Sequence, residues 1–267
     1  MSVTILEPPA RETIAEGALL FLEPSARRPR INYLSGQGEA SELYQPRRVS
    51  LRNLRRARTS LDVEGFALAR RPSSIDFLDE PKTVRVGRAE AAALVRDVTG
   101  AARVDVFDHT YRRRSPDSFR QPSTRVHVDY TARSGPQRVR DLFPDEADAL
   151  LSRRVAFINV WRAVRHAAQD WPLALCDAQS VREGDLVATD ILYADRMGEI
   201  YNVAYHPEQR WWFTPDLALD EAILIKCYDS RADLARFAPH TAFESPLTPP
   251  AAPPRESIEF RAIAFFD

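Results

Sequence analysis

The sequence predicts a mainly β protein in which short strands form a sandwich or barrel and a few helices pack outside it. Three observations carry that reading. Beyond about residue 154 the chain is a series of short apolar runs separated by Pro, Asp and Arg clusters. Near the middle, Arg125-Val126-His127-Val128-Asp129-Tyr130-Thr131 alternates apolar and polar residues with the period of two that marks a half-buried strand. Helical spacing is confined to two short stretches, 88–99 and 136–153.

The first element is the least regular. Pro8, Pro9, Pro24 and Pro29 interrupt the N-terminal part, Arg47 to Arg58 is dense in arginine, and Pro72-Ser73-Ser74 marks a turn. Residues 1–84 therefore read as an irregular extension, with a few short strands, packed on the main body. The arginine-rich segment has no interleaved aromatic residues, so a solvated or internally paired face is favoured over a nucleic-acid surface.

Arg88 to Thr99 places Ala91, Leu94, Val95 and Val98 at helical spacing, and Gly100 supplies a stop. Arg103-Val104-Asp105-Val106-Phe107 follows as a strand. From Pro136 to Arg153 a second apolar stripe runs through Val139, Leu142, Phe143, Ala147, Leu150 and Leu151, and Pro144 is expected to split it into two helices. The remaining strands are expected at 155–161, 173–181, 199–205, 210–213, 222–228 and 257–266. Between the last two, residues 246–254 contain five prolines and must form a stiff extended loop.

Composition narrows the function classes. The chain has 267 residues, 44% hydrophobic and 28% charged, which suits a sizeable core. A net charge of -1 gives no global field for nucleic acid or an anionic membrane. Cys176 and Cys227 are too few for a disulfide framework and sit in apolar runs, so buried thiols in a reducing compartment are expected. No apolar run reaches about 18 residues, and no basic segment precedes an apolar one at the N-terminus. The expectation is a soluble, cytoplasmic protein.

The chemistry starts at the polar face of the 125–131 strand. Residues two apart point the same way, so His127 and Asp129 emerge together. An imidazole beside a carboxylate supplies two ligands of the 2-His-1-carboxylate triad that holds non-haem Fe(II) with coordination positions left open. The same pair also fits an ordinary strand whose His and Asp hydrogen-bond a neighbour. A third ligand would come from His109, His166, His206 or His240, of which His240 follows Pro239 in an extended context. Fifteen positions later, Arg255 and Ser257 share a strand face, and a guanidinium with a hydroxyl is the chemistry that holds a carboxylate. Arg261 has the same parity and is a rival. Trp161 and Arg162 end a strand and are candidates for the pocket wall. Lys226, alone in an apolar strand, either pairs with a carboxylate or binds substrate.

The order His-x-Asp, distal His, Arg-x-Ser resembles the Fe(II)/2-oxoglutarate-dependent oxygenases. Longer blocks resemble, within them, the AsaB-type hydroxylase/desaturases and the cephem 7-alpha-hydroxylase component CmcJ. These are Val106-Phe107-Asp108-His109-Thr110, Val126-His127-Val128-Asp129, Asn159-Val160-Trp161-Arg162 and Trp171-Pro172-Leu173-Ala174-Leu175-Cys176-Asp177. The blocks continue through Lys226-Cys227-Tyr228-Asp229-Ser230, Pro239-His240-Thr241-Ala242-Phe243 and Arg255-Glu256-Ser257-Ile258-Glu259-Phe260-Arg261. Together they span roughly residues 60–267. Ala163 stands where the pattern expects Pro, and the proline-rich insert lengthens the gap between His240 and Arg255.

The resemblance implies a double-stranded β-helix (jelly roll, cupin-like), with residues 1–267 as one oxygenase domain and 100–267 as its core. It implies Fe(II) held by His127, Asp129 and His240, and 2-oxoglutarate held by Arg255 and Ser257. Trp161, Arg162, Lys226 and Arg261 would line the substrate site. The implied reaction uses dioxygen to hydroxylate, desaturate or cyclise a small specialised metabolite. Rival expectations are an iron oxidase of the same fold that needs no 2-oxoglutarate, a non-catalytic jelly-roll binding protein and, more remotely, a zinc hydrolase.

Overall fold

The computed structural model describes residues 13–23, 25–34, 39–118 and 120–267; Pro8, Pro9 and Pro24 lie outside them. Two sheets face each other. The smaller has five antiparallel strands in the order Phe66–Arg70, Glu221–Asp229, Val155–Ala163, Glu256–Phe265, Arg103–Arg113. The larger has ten, in the order Thr13–Leu22, Tyr44–Asn53, Trp211–Phe213, Leu173–Cys176, His240–Ala242, His127–Val128, Met197–Val203, Leu186–Leu192, Arg30–Asn32, Glu39–Ala40. Bridges from Leu20 to Arg125 and from Leu22 to Ala204 bring the first strand back across the larger sheet, which therefore curls. This is the mainly β, jelly-roll architecture that the sequence predicts.

Strand Val155–Ala163 is buried along its whole length, and its period of two sorts two cores. Val155, Phe157, Trp161 and Ala163 pack between the sheets with Val128, Leu173, Leu175 and Ile225. Ala156, Ile158 and Val160 face the other way, onto Ala91, Leu94 and Val95 of the helix Arg88–Thr99. The neighbouring strand Glu256–Phe265 follows the same rule. Ile258, Phe260, Ala262 and Ala264 join the helix side, and Ile263 and Phe265 the space between the sheets. The alternation sends Ser257, Glu259 and Arg261 to the inter-sheet side as well. A polar row thus interrupts an otherwise apolar interior face.

The helix Arg88–Thr99 ends as expected: Gly100 takes the left-handed conformation at φ 70° and donates its N–H to Arg96 O. Its stripe is narrower than the spacing suggests, because Val98 is exposed. Pro144 separates the helices Ser134–Leu142 and Ala147–Leu151.

Three expectations need correction. The N-terminal stretch is more regular than its prolines suggest, with ten-residue strands at Thr13–Leu22 and Tyr44–Asn53. Within Tyr44–Asn53, Val49 and Leu51 point inward between exposed Arg48 and Ser50, so dense arginine concealed a strand's alternation. The strand from Leu173 stops at Cys176, where the Asp177 carboxylate accepts the Gln179 N–H and starts a helical turn. Leu186–Leu192, which forms a hairpin with Met197–Val203, was not expected because Thr189 and Asp190 interrupt its apolar pattern. Both cysteines are free and buried. Among the described residues no helix is long and apolar enough to cross a membrane.

Candidate active site

The 125–131 segment is regular strand only at His127–Val128, but its alternation is kept: Val126 and Val128 are buried in the cores, while His127 and Asp129 turn to one side. His127 lies directly across from His240 on the neighbouring antiparallel strand, with ring centroids 4.5 Å apart. Asp129 completes a cluster whose donor atoms all lie within 4.8 Å of one another. Its Oδ1 is 3.4 Å from His127 Nε2.

Backbone carbonyls orient both rings. His127 Nδ1 donates to Arg125 O at 2.8 Å and His240 Nδ1 to Ala238 O at 3.1 Å. A carbonyl only accepts, so each Nδ1 carries the proton and each Nε2 keeps a free lone pair. Burial, reinforced by His127, pushes the His240 pKa down, which favours the neutral ring that a metal needs. Burial opposes ionisation of Asp129, yet the contact with His127 and the charge of Arg261 outweigh it and hold the carboxyl well below its usual range.

The second oxygen of Asp129 is anchored from the smaller sheet. Asn159 Nδ2 donates to Oδ2 at 2.7 Å, and Arg261 Nε lies 3.5 Å from the same oxygen. Asn159 and Arg261 are cross-strand partners, so one register position supplies both anchors. Arg261 is itself held by Asp108 at 2.8 Å, Thr110 at 3.1 Å and Glu259 at 2.9 Å. Its place is thus behind the Asp129 carboxylate. Asn159 carried no role in the sequence reading; the available signal was one amide in an unbroken apolar strand.

A cavity opens beside this cluster, lined by His127, His240, Arg112, Trp161, Arg255 and Glu259 among others. Arg255 is buried, its guanidinium carbon 5.4 Å from the Trp161 ring centroid, and it donates to Trp171 O. Burial and the nearby Arg112 lower its pKa to about 9. Arg255 Nε and Ser257 Oγ are buried without a hydrogen-bond partner. Buried polar atoms are rarely left unpaired, so this pair fits an absent carboxylate. Two imidazole nitrogens and a carboxylate oxygen with open space beside them fit Fe(II) equally well.

Two residues expected in the pocket are elsewhere, because strand parity sends them to the opposite face. Arg162 donates to Arg71 O on the helix side of the smaller sheet. Lys226 pairs with Asp62 at 2.6 Å and Asp229 at 2.8 Å, in a cluster joined by Arg154. The other histidines stay outside the donor cluster. His109 meets Arg88 and Glu80, His166 its neighbour's carbonyl, and His206 the Glu208 N–H.

Comparison with known proteins identifies the relatives of this chain. The family model described as "Oxidoreductase/YMDC permease-like domain" matches residues 19–265. The Fe(II)/2-oxoglutarate-dependent dioxygenase nvfI of Aspergillus novofumigatus is 30% identical over 270 residues, covering 95% of this chain and 97% of that protein. The hydroxylase/desaturase CTB9 of Cercospora beticola is 32% identical over 255 residues, covering 84% and 78%. A solved structure of the iron and alpha-ketoglutarate-dependent endoperoxidase NvfI superposes with a TM-score of 0.85 at 28% identity, covering 94% of this chain and 97% of that one. The chain belongs to this family of Fe(II)/2-oxoglutarate-dependent dioxygenases and hydroxylase/desaturases, and is an oxidoreductase.

Proposed function

We propose that this protein is a 2-oxoglutarate-dependent oxygenase that hydroxylates, desaturates or cyclises a small specialised metabolite. His127, Asp129 and His240 hold its Fe(II), and Arg255 and Ser257 receive the distal carboxylate of the cosubstrate. One observation carries the reading: His127 and His240, which cluster with Asp129, line one cavity with Arg255, whose Nε, like the Ser257 Oγ on the same strand face, is buried without a partner. When bound, Fe(II) and 2-oxoglutarate couple loss of carbon dioxide from the keto acid to oxidation of a substrate C–H bond by dioxygen, leaving succinate.

The chain's own work is placement. The carbonyls of Arg125 and Ala238 fix the imidazole tautomers, and Asn159 and Arg261 occupy the outer oxygen of Asp129 so that its inner oxygen faces the metal. Trp161 and Leu173 give the cavity apolar walls that limit water. We read residues 1–267 as one oxygenase unit with 1–84 packed on a 100–267 core, acting in the cytoplasm; two buried free thiols suit a reducing compartment.

Anaerobic titration with Fe(II) and 2-oxoglutarate tests the proposal. A weak visible charge-transfer band is expected only when both are present, and turnover should release succinate. Product formation without succinate would favour a cosubstrate-independent oxidase. Failure of the wild-type protein to bind either component would favour a non-catalytic jelly roll.

A further inference from the structure

We infer that Arg112 is a second guanidinium for the distal carboxylate of 2-oxoglutarate, making the pocket selective for a dianionic keto acid over monoanionic ones. The inference rests on the function proposed above and adds a residue to it. Arg112 lies directly across from Ser257 on the adjacent strand, so the three donors Arg112, Ser257 and Arg255 converge on one interior patch. It lines the same cavity as Arg255, His127 and His240.

Neither guanidinium has an acidic partner. Arg112 donates to Gln121 O at 3.0 Å and Arg255 to Trp171 O, and no carboxylate among the described residues lies within ion-pair distance of either side chain. Glu259, which lines the same cavity, accepts from Arg261 instead. Two like charges share a cavity, and burial together with their mutual repulsion depresses Arg255. Such an arrangement is costly unless an anion enters between them.

The charge pattern says how much anion. Asp108, Asp129 and Glu259 all pair with Arg261, whereas Arg112 and Arg255 line the cavity with no ion pair of their own. With a divalent cation at the histidines, the cavity calls for negative charge at both ends. A dicarboxylate that places one end at the metal and the other between the arginines supplies both. A monocarboxylic keto acid would leave the arginine end unmatched.

The test compares 2-oxoglutarate with 2-oxobutyrate, which has the keto acid end but no distal carboxylate. Binding of each is measured calorimetrically, under anaerobic conditions, to Co(II)-loaded protein. Arg112→Gln should weaken 2-oxoglutarate by about ten- to a hundredfold, as for loss of a charged hydrogen bond. The same variant should leave 2-oxobutyrate affinity and Co(II) stoichiometry unchanged. Arg112→Lys, which keeps the charge and loses the fork, should fall between the two and serves alone if the Gln variant does not fold. An unaltered preference for 2-oxoglutarate in the folded variants would overturn the inference and move Arg112 to the substrate. A wild type that binds neither acid would instead refute the proposed function.

Discussion

Asn159 donates its side-chain amide to the outer oxygen of Asp129 at 2.7 Å, reaching from the smaller sheet to the residue that follows strand His127–Val128 of the larger one. The bond leaves the other carboxylate oxygen facing His127. Removing it should let Asp129 rotate. Asn159→Ala is expected to lower Co(II) or Mn(II) affinity by about tenfold or more, measured by calorimetric titration of the apoprotein. Unchanged affinity would show that Arg261 alone orients the ligand.

The proposed metal ligands should separate from the remaining histidines. His127→Ala, Asp129→Ala and His240→Ala should each abolish stoichiometric iron binding, whereas His109→Ala, His166→Ala and His206→Ala should retain it. Iron retained by His240→Ala but lost by one of the other three would displace the assigned third ligand.

Arg255 and Arg261 should fail in different ways. Arg255→Ala is expected to raise the 2-oxoglutarate requirement by at least about tenfold, or about 1.4 kcal/mol, with iron binding intact. Arg261→Ala should weaken the metal, because its guanidinium sits behind Asp129 and is tied to Asp108 and Glu259. The contrast is read by titrating metal and cosubstrate separately; the reversed pattern would move the carboxylate pocket to Arg261.

Acid should loosen the segment that follows Asp129. Burial would raise the Glu199 pKa, but Arg133, Thr131 and Arg28 outweigh it and lower the group from 4.5 to about 2. A depressed folded pKa contributes stability that is present above the ordinary glutamate range and is lost as pH falls towards the folded value. Glu199→Gln should therefore flatten the stability profile between about pH 4.5 and 2, removing roughly 2–3 kcal/mol at neutral pH. Urea unfolding across that range reads it, and a profile parallel to wild type would contradict it.

Lys226 is expected to matter for stability alone. Lys226→Met leaves buried Asp229 with Arg154 and the Arg231 N–H as its partners, and should cost about 3 kcal/mol in denaturant unfolding, the lower end for breaking a buried pair. Metal and 2-oxoglutarate affinity should stay at wild-type values. A selective loss of ligand affinity would return Lys226 to the pocket.

Much of this molecule is local, and so was legible along the chain. The alternation at 125–131 placed His127 beside Asp129, the apolar stripe with Gly100 bounded the helix at 88–99, and parity grouped Arg255, Ser257 and Arg261 on one face. The order of these parts also carried the family resemblance. Such features depend on neighbours within a few residues, and backbone geometry turns their spacing directly into direction. Tertiary structure decided which faces meet. Strand register set His240 against His127, Asn159 behind Asp129 and Arg112 across from Ser257, each pair joining residues tens or more positions apart. Register also turned Arg162 and Lys226 outward, although both lie in apolar strands that flank the site. Periodicity shows that a strand has two faces; only the packing of one sheet on another determines which face encloses the chemistry.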